Sequence, residues 1–490
     1  MNYLRKHAAL AGVLVALMLL GGLLRLWDLG EQSLWIDEGF TMNAALSVHE
    51  KGLPILESGE FYRNGILSVY MITFVEKVFG IDPFSPWPER LPAVVFGTGL
   101  IVAAYFFYRE IFKDKVGALI LSGAIAFSYW EIAWSRQARG YAMCSLFITV
   151  ALTFLWRYSN SKRPCTLALA ITGAILAYVS QESALAFILI VGLMVVIFAH
   201  DSKMESASRS FAPAAALAAL FGISMLAQAF LPNMRPLRFD DYFNSLPPEL
   251  LVSMCGAVTA WIWTLRARQD RRAVSFLALA GFSSLVLILF FSPAAQSRYL
   301  FPLFPIFIAL TVYLARNAAD YVFKGLGSCS CVLIALALLA ALYAPFLNLL
   351  PRSTYYLESG SPQPDFKTAY DLIRKNKKEG DIIISGFTQM HNVYLGEKGM
   401  WLKMNFNGPA SGADAKVING FDYYVAAPII VDFEQLKKVL GENTGYLVLD
   451  SMTDSRWPEI YPYFETCGCA QKIISDRGAV GGASIYVYKF

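Results

Sequence analysis

Charged residues are scarce in this chain of 490 residues, at 16% of the sequence against roughly 25% in ordinary soluble domains. The shortage is uneven, because about 13% of residues 1–350 are charged but about 22% of residues 351–490. A net charge of +4 is too small and too dispersed to predict nucleic-acid binding, and seven cysteines exclude a disulfide scaffold. With 56% hydrophobic residues and a mean hydropathy of +0.47, the composition predicts a membrane protein with a soluble C-terminal domain.

The common motifs of nucleotide and metal chemistry are also missing. The sequence holds no GxGxxG after a strand, no Walker loop, no HExxH and no GxSxG elbow. The four histidines have no ligand spacing, which argues against a zinc site: His7, His49, His200 and His391. A nucleotide-using enzyme of conventional type is therefore disfavoured.

Apolar runs near the 20 residues that cross a bilayer recur through the first 350 positions. They predict about eleven membrane spans, at 8–27, 91–108, 116–134, 142–157, 165–180, 184–199, 211–231, 249–265, 273–291, 300–315 and 328–348. The run at 65–80 is short and contains Glu76 and Lys77, so it predicts a juxtamembrane helix at the interface. Basic residues favour one set of span ends by about three to one, which predicts a cytoplasmic N-terminus and an exterior tail.

These patterns divide the chain into a membrane domain, residues 1–350, and an exterior α/β domain, residues 351–490. In the membrane domain, residues 28–90 form a long first exterior loop that contains the juxtamembrane helix. In the tail, hydrophobic periodicity predicts helices at 365–378 and 433–440 and strands at 382–385, 417–426 and 445–450. Cys467 and Cys469 are one residue apart and either form a bridge or stay as thiols.

Ionisable residues are costly inside a bilayer, and here they collect at the exterior ends of the spans. Five segments deliver acids, arginines and tyrosines to that side: Asp37, Glu38, Glu60, Tyr62 and Arg63; Glu131, Arg136, Arg139 and Tyr141; Glu182; Arg235, Arg238, Asp240 and Asp241; Arg298 and Tyr299. The pattern predicts a polar cavity at the outer face rather than a conduit through the bilayer.

A structural interpretation exists for each of these groups. Glu131, Ser135 and Arg139 are spaced i, i+4, i+8, so Glu131 and Arg139 are also candidates for a structural ion pair on one helix face. The other charged residues are equally suited to loops, helix caps or anchors at the lipid headgroups. The arrival of five segments on one side favours a functional site.

Three motifs resemble the GT-C membrane glycosyltransferases, in particular the branch with protein O-mannosyltransferases and the aminoarabinose transferases of lipid A. They are an acidic pair after an aromatic residue at 35–39 (WIDEG), an arginine–tyrosine cluster at 135–142 (SRQARGYA) and the sequence RYLFPLFP at 298–305. Their order and sidedness agree with the family over roughly residues 1–350. The resemblance implies an α-helical polytopic GT-C membrane protein with a small C-terminal extracytoplasmic α/β domain. It also implies inverting transfer of a sugar from a polyprenyl (or dolichyl) phosphate.

The resemblance implies roles for individual residues as well. Asp37 is expected to be the general base that takes the proton of the acceptor hydroxyl, and Glu38 to orient Asp37 or contact the acceptor. The residues expected at the donor phosphate, whose developing charge needs cations, are Arg298, Arg139, Tyr299, Arg136 and Tyr141. The candidates for acceptor or metal contacts are Glu182, Glu131, Glu60 and Tyr62.

The metal requirement is where this chain departs from the family. Some members carry a second acidic group just after the third span that helps to hold a divalent metal. The segment SRQARGY at 135–141 has no carboxylate, so either arginine replaces the metal or Glu182 or Glu60 completes a site with Asp37. The sequence leaves a divalent metal open and favours none.

We therefore expect an integral membrane enzyme that moves a sugar from a polyprenyl-phosphate carrier to a hydroxyl of a protein, lipid or polysaccharide. The inner membrane of a bacterium, with a periplasmic tail, is the simplest location, since the sequence contains no glycosylation sequon or retention signal. The alternative is a transporter or flippase of a lipid-linked saccharide. That class carries polar or Gly/Pro-broken helices near mid-membrane, which the sequence does not show.

Overall fold

The structure is a computed structural model. It describes residues 2–31, 33–80, 86–200, 247–267, 270–291, 297–322, 337, 364–403, 417–418, 420–450, 459–476 and 485–490. Within these ranges a bundle of apolar helices is followed by an α/β domain. Apart from residue 337, the predicted spans at 211–231 and 328–348 lie outside the described residues, as do Arg235, Arg238, Asp240 and Asp241.

The described part of the membrane domain contains α-helices and two short 3-10 helices. The α-helices are α1 Asn2–Leu26, α2 Ile36–Lys51, α3 Ile66–Phe79, α4 Pro86–Phe112, α5 Lys115–Phe127, α6 Tyr129–Trp134, α7 Tyr141–Ser161, α8 Pro164–Ser180, α9 Leu185–His200, α10 Pro248–Ala267, α11 Arg271–Phe291 and α12 Phe304–Val322. The 3-10 helices are Glu182–Ala184 and Ser297–Leu303.

Six of the described helical segments are long and apolar enough to cross a membrane. They are Ala8–Leu26, Trp87–Phe112, Tyr141–Ser161, Pro248–Leu265, Arg271–Leu289 and Arg298–Tyr321. Three further apolar helices are shorter: Lys115–Phe127, Pro164–Ser180 and Glu182–Val196. Together these segments coincide with nine of the eleven predicted spans, and the number of crossings stays a prediction.

The predicted third span is not one helix. The chain leaves the helical conformation at Ser128, whose φ of −64° and ψ of 127° are extended, and α6 restarts at Tyr129. The Ser128 side chain accepts a hydrogen bond from the backbone N–H of Glu131, as an N-cap residue does, and donates to Glu249 at 2.6 Å. The i, i+4, i+8 face proposed for Glu131 and Arg139 is therefore wrong, because the helix ends at Trp134.

Residues 28–90, predicted to form the first exterior loop, hold one more helix than predicted. The juxtamembrane helix is present as α3, but residues 36–51 are also helical, as α2. The local signals for α2 are two carboxylates in its first turn and Gly52 just past its end, in the left-handed conformation that stops helices. The loop therefore presents the WIDEG motif on the start of a helix rather than on irregular chain.

A mixed six-stranded sheet forms the centre of the C-terminal domain. Its strands are β1 Ile382–Ser385, β2 Met400–Leu402, β5 Ile429–Ile430, β6 Gly445–Asp450, β7 Gln471–Asp476 and β8 Ile485–Lys489. The order is β5-β2-β1-β6-β8-β7, parallel from β5 to β6 and antiparallel through β8 and β7. The helices are α13 Phe366–Asn376, α14 Thr388–Leu395, α15 Phe433–Glu442 and α16 Ile460–Thr466.

The side-chain alternation of the strands builds a core on each face of this sheet. On β1, Ile383 packs with α13 and α14, while Ile384 packs with α15 and α16. All six residues of β6 are buried, as expected for a strand covered on both faces. The helices at 365–378 and 433–440 and the strands at 382–385 and 445–450 are thereby confirmed.

Two predictions for the tail are changed by the structure. The stretch 417–426 is not one strand: β3 Val417–Ile418 and β4 Phe421–Asp422 form a short antiparallel pair, and a turn follows β4. The turn is stabilised by the Asp422 carboxylate, which accepts from the backbone N–H of Val425 at 2.9 Å. Cys467 and Cys469 are joined by a disulfide.

His391 on α14 gives the domain a pH-dependent stability. Burial lowers the pKa of His391 to about 3, well below its ordinary value. Between that value and about 6.5 the unfolded chain binds a proton that the folded domain excludes. The contribution of neutral His391 to the free energy of unfolding is therefore complete above about pH 6.5. It falls by up to about 1.4 kcal/mol per pH unit as the pH drops from about 6.5 to about 3.

We expect the melting temperature of the whole chain in detergent to fall from neutral pH to about pH 5, and to fall less steeply for His391→Leu. Leucine is suitable because it has no proton to gain and fits an apolar site. Identical slopes for the two proteins would show that His391 does not control this dependence.

Candidate active site

Asp37 lies in the first turn of α2, where the helix dipole favours a negative charge. Its Oδ2 is 3.2 Å from Nη2 of Arg298 and 3.8 Å from Nη2 of Arg139. The Asp37 side chain is 19% exposed, and those of Arg298 and Arg139 are 10% and 8% exposed. The other carboxylate oxygen, Oδ1, accepts no hydrogen bond from a residue that the structure describes. Asp37 thus faces two guanidinium groups, both on the side of Oδ2.

Arg298 reaches Asp37 from the 3-10 helix that precedes α12. Its guanidinium carbon lies 4.8 Å from the ring centre of Trp35 and 5.6 Å from that of Tyr299, within the range of cation–π attraction. Arginine suits this position because its planar cation stacks on aromatic rings and still presents donors at its edge. The sequence motifs around Trp35 and Arg298, more than 250 residues apart, therefore meet at one point.

Arg139 lies on the turn between α6 and α7. Its Nη1 donates to the Asp37 carbonyl at 3.1 Å, to Thr41 Oγ1 at 2.8 Å and to the Tyr62 hydroxyl at 3.0 Å. Tyr62 is itself 3.3 Å from Thr41 Oγ1 and is 2% exposed. Arg139 is therefore fixed by the first turns of α2 and by the loop after it, so Tyr62 supports the arginine rather than facing open solvent.

Glu38, the second member of the acidic pair, has a buried side chain. Its Oε1 accepts from Arg90 Nε at 2.9 Å and from the backbone N–H of Ala138 at 2.7 Å. Its Oε2 accepts from Arg90 Nη2 at 2.9 Å and from the backbone N–H of Trp35 at 2.8 Å. Four donors and an exposure of 1% leave no room for an acceptor substrate. Of the two roles expected for Glu38, the geometry favours orienting Asp37.

Arg90 is the site residue that the sequence did not reveal. Besides Glu38, it donates to the carbonyls of Leu29 at 2.8 Å and Ser33 at 3.0 Å. It thereby ties α4 to the chain just before α2. In the sequence, Arg90 is one charged residue at the edge of an apolar run, and nothing local distinguishes it from a headgroup anchor.

Arg136 donates hydrogen bonds to the chain at the end of α1. Its Nη1 donates to the carbonyls of Arg25 at 2.9 Å and of Trp27, and its Nη2 donates to the Asp28 carbonyl at 3.2 Å. The Arg25 carbonyl belongs to the last turn of α1 and the other two to the turn that follows, where a cation complements the helix dipole. In the structure Arg136 contacts the chain at the end of α1, and its expected contact with the donor phosphate stays a prediction.

Of the remaining candidates, Tyr141 and Glu131 are buried, whereas Glu60 and Glu182 are exposed. Tyr141 is fully buried, with its ring 4.6 Å from Trp134 and 5.9 Å from the guanidinium carbon of Arg139. Glu131 is fully buried on α6 and hydrogen-bonds through its side chain to no described residue. Glu60 is exposed. Glu182 is also exposed, and its carboxylate accepts a hydrogen bond from the side-chain amide of Asn64.

The described side chains around Asp37 do not form a ligand set for a divalent metal. The positions beside its carboxylate are taken by guanidinium groups, which carry the charge that a metal would supply. Among the described residues, no three His, Cys, Asp or Glu side chains are grouped so that they can hold a metal ion. Neither Glu60 nor Glu182 completes such a group with Asp37, and no step below depends on a metal.

Sequence comparison identifies no relative: no protein-family model matches the chain, and no curated protein matches it. Solved structures do match. ArnT from Cupriavidus metallidurans, bound to undecaprenyl phosphate, has a TM-score of 0.57 at 12% identity, covering 97% of each chain. The apo oligosaccharyltransferase from Archaeoglobus fulgidus has a TM-score of 0.55 at 13% identity, covering 90% of this chain and 69% of that one. A second structure of the archaeal enzyme, with Zn and sulfate, has a TM-score of 0.51 at 14% identity, with 89% and 68% covered.

At these identities the likeness concerns the fold, which the three motifs of the sequence also indicated. The expected architecture, an α-helical polytopic membrane protein with a small C-terminal α/β domain, is confirmed. The chain has the GT-C fold of membrane glycosyltransferases.

Proposed function

We propose that this protein is an inverting glycosyltransferase that moves a sugar from a polyprenyl-phosphate carrier to an acceptor hydroxyl. The observation that carries the proposal is the arrangement of Asp37, Arg298 and Arg139. A partly exposed carboxylate, whose Oδ1 accepts no hydrogen bond from a described residue, lies within 4 Å of two arginines from distant segments. Such a group combines a base for a hydroxyl with cations for a departing phosphate.

The chemistry assigned to these residues follows from their charges. The acceptor oxygen attacks the anomeric carbon of the sugar while Asp37 takes the hydroxyl proton. The bond between the anomeric carbon and the phosphate oxygen breaks, and the electron pair leaves with the polyprenyl phosphate. Arg298 and Arg139 stabilise that charge, since guanidinium groups bind phosphate through paired N–H donors. Attack opposite the leaving group inverts the anomeric centre.

The acceptor is assigned to the side of Asp37 that carries Phe40. One turn along α2, the Phe40 ring stacks on Tyr424 of the C-terminal domain, with centres 3.8 Å apart and planes 19° apart. Tyr423 meets Tyr424 edge-on at 4.9 Å. Burial raises the pKa of Tyr424, and the nearby Tyr62 and Asp37 raise it further, so the hydroxyl stays neutral and can donate. Trp35 and Tyr299, which flank Arg298, form a separate aromatic group that we assign to the donor.

The fold comparison supports a polyprenyl-phosphate carrier, because ArnT with the same fold was bound to undecaprenyl phosphate. The bias of basic residues supports a site on the outer face of the cytoplasmic membrane. The acceptor class, whether protein, lipid or polysaccharide, is left to experiment. Transport of a lipid-linked saccharide is the competing function, and the assay below separates the two.

The proposal is tested with purified protein in nanodiscs and a panel of undecaprenyl-phosphate sugars, with and without chelator. We expect one donor to release undecaprenyl phosphate at a rate that the chelator does not change. Arg298→Ala is expected to weaken undecaprenyl phosphate binding by at least about 30-fold, because truncating one partner of a buried charge pair costs about 2–5 kcal/mol. Arg298→Lys is expected to recover only part of this loss, since lysine lacks the planar fork.

Arg163→Ala serves as the matched control, because Arg163 is exposed and its loss changes the net charge equally. It is expected to bind and turn over substrate like the wild type. Donor binding without release, together with movement of the donor across the nanodisc or vesicle membrane, would contradict the transferase and support the transporter.

A further inference from the structure

The helix that carries Asp37 is packed against the C-terminal domain as well as against the membrane helices. Asn43 on α2 is 6% exposed, and its Nδ2 donates to the Gly39 carbonyl at 2.7 Å and to the Gln389 carbonyl at 3.0 Å. Its Oδ1 accepts from the side-chain amide of Asn392. The buried side-chain amide of Asn43 therefore links Gly39, one turn earlier on α2, to Gln389 and Asn392 in the first turns of α14.

The hydrophobic core of the C-terminal domain includes residues of the catalytic segment. Leu34 and Met42 are fully buried in the cluster formed by α13, α14 and one face of the sheet. The Tyr394 hydroxyl accepts a hydrogen bond from the backbone N–H of Leu34 at 2.9 Å. The segment that holds Asp37 thus completes the fold of a domain that follows it by more than 300 residues.

Gly39 marks the closest approach of the two helices. A Cβ atom at Gly39 would lie 2.7 Å from Sδ of Met390 and 3.2 Å from Cγ of Gln389. Both distances are shorter than ordinary van der Waals contact, so a methyl group here must displace the fully buried Met390 side chain or shift α14 against α2. Gly39 is two residues from Asp37, and a displacement of the first turn of α2 would move the carboxylate relative to Arg298 and Arg139.

We propose that the C-terminal domain positions the catalytic base through the contact of Met390 with Gly39 and of Gln389 and Asn392 with Asn43. The inference rests on the proposed function, and it assigns these side chains to positioning rather than to contact with substrate. Arg298 comes from the 3-10 helix before α12, whereas the first turns of α2 are held by Arg90, by Arg139 and by α14. The distance from Asp37 to Arg298 therefore depends on the position of α14 against α2, and an error near 1 Å can cost about 100-fold in rate.

The test is a double-mutant cycle with Gly39→Ala and Met390→Ala, using the undecaprenyl-phosphate sugar identified by the panel. Gly39→Ala is expected to lower kcat about tenfold or more, because it moves the base, with little change in the donor KM. Alanine favours helix more than glycine, so the loss is not expected from weaker helix formation. Met390→Ala removes the sulfur that the new methyl group meets, so the double variant is expected to regain most of the lost kcat.

Gly441→Ala in α15 is the matched control, because a Cβ there meets nothing within 4 Å, and it is expected to behave like the wild type. Asn392→Ala, a milder change at the same contact, is expected to lower kcat about threefold with the same KM pattern. An unchanged kcat in Gly39→Ala or in Asn392→Ala would overturn the inference, as would a double variant no faster than Gly39→Ala. Should Gly39→Ala not fold, Asn392→Ala decides alone. Unchanged turnover in Asp37→Asn would instead overturn the proposed function.

Discussion

Asp37→Asn is expected to lower kcat by about 100- to 10,000-fold, the usual contribution of a positioned general base. Asparagine has the shape of aspartate but cannot accept the proton of the acceptor hydroxyl. Undecaprenyl phosphate binding is expected to stay the same or to tighten, because Arg298 loses the carboxylate that lies 3.2 Å from it. Turnover of the donor from the panel and binding of undecaprenyl phosphate, measured on the same preparations, separate the two effects.

The control for this change is Asp320→Asn, which removes an exposed carboxylate near the end of α12. It is expected to leave kcat and the melting temperature unchanged. A wild-type kcat in Asp37→Asn would remove Asp37 from the reaction. A loss of activity with an equal loss of undecaprenyl phosphate binding would show that Asp37 organises the donor site instead of acting as a base.

Arg90→Ala is expected to have the largest effect on stability. It removes one partner of an ion pair in which both side chains are 1% exposed, and it leaves the Glu38 carboxylate buried without its cation. Breaking such a pair costs about 3–5 kcal/mol of unfolding free energy. The turn from Leu29 to Ser33 also loses two hydrogen bonds to Arg90, so the start of α2 is expected to loosen and turnover to fall.

The measurement is the melting temperature and the yield of monodisperse protein in detergent. Glu38→Ala/Arg90→Ala is expected to be more stable than the sum of the two single losses predicts, because it leaves no unpaired charge. Additive losses would mean that the pair contributes little beyond packing. A melting temperature of Arg90→Ala equal to that of the wild type would contradict the assigned role.

The sequence was sufficient for features that depend on local composition or period. Apolar runs of sufficient length located nine predicted spans that are helical in the described residues. The reason is that a chain segment inside a bilayer must hydrogen-bond its own backbone N–H and C=O groups, which a helix does. Alternation and helical spacing likewise located β1, β6, α13 and α15 in the C-terminal domain. The motifs around Asp37, Arg139 and Arg298 predicted a shared site because their residue types and sidedness agreed.

The sequence failed where a single capping group or a distant partner decides the conformation. Nothing in the apolar run 116–134 shows that Ser128 interrupts it, because the interruption is held by a side chain bond to Glu249. Arg136 and Arg139 are three residues apart and look equivalent in sequence. The turn after α6 directs Arg136 to the end of α1 and Arg139 to Asp37, so their partners differ.

By itself, then, the sequence determined a membrane protein with an α/β tail and the three motifs that meet at Asp37, since hydropathy and residue type are local properties. Only the tertiary structure decided that the buried charge of Glu38 is paired with Arg90. It also decided that the C-terminal domain contacts α2 at Asn43, through Gln389, and at Gly39, through Met390. The physical reason is that a buried charge or a close helix contact is defined by its partner. Here the partners lie about 50 and 350 residues away along the chain.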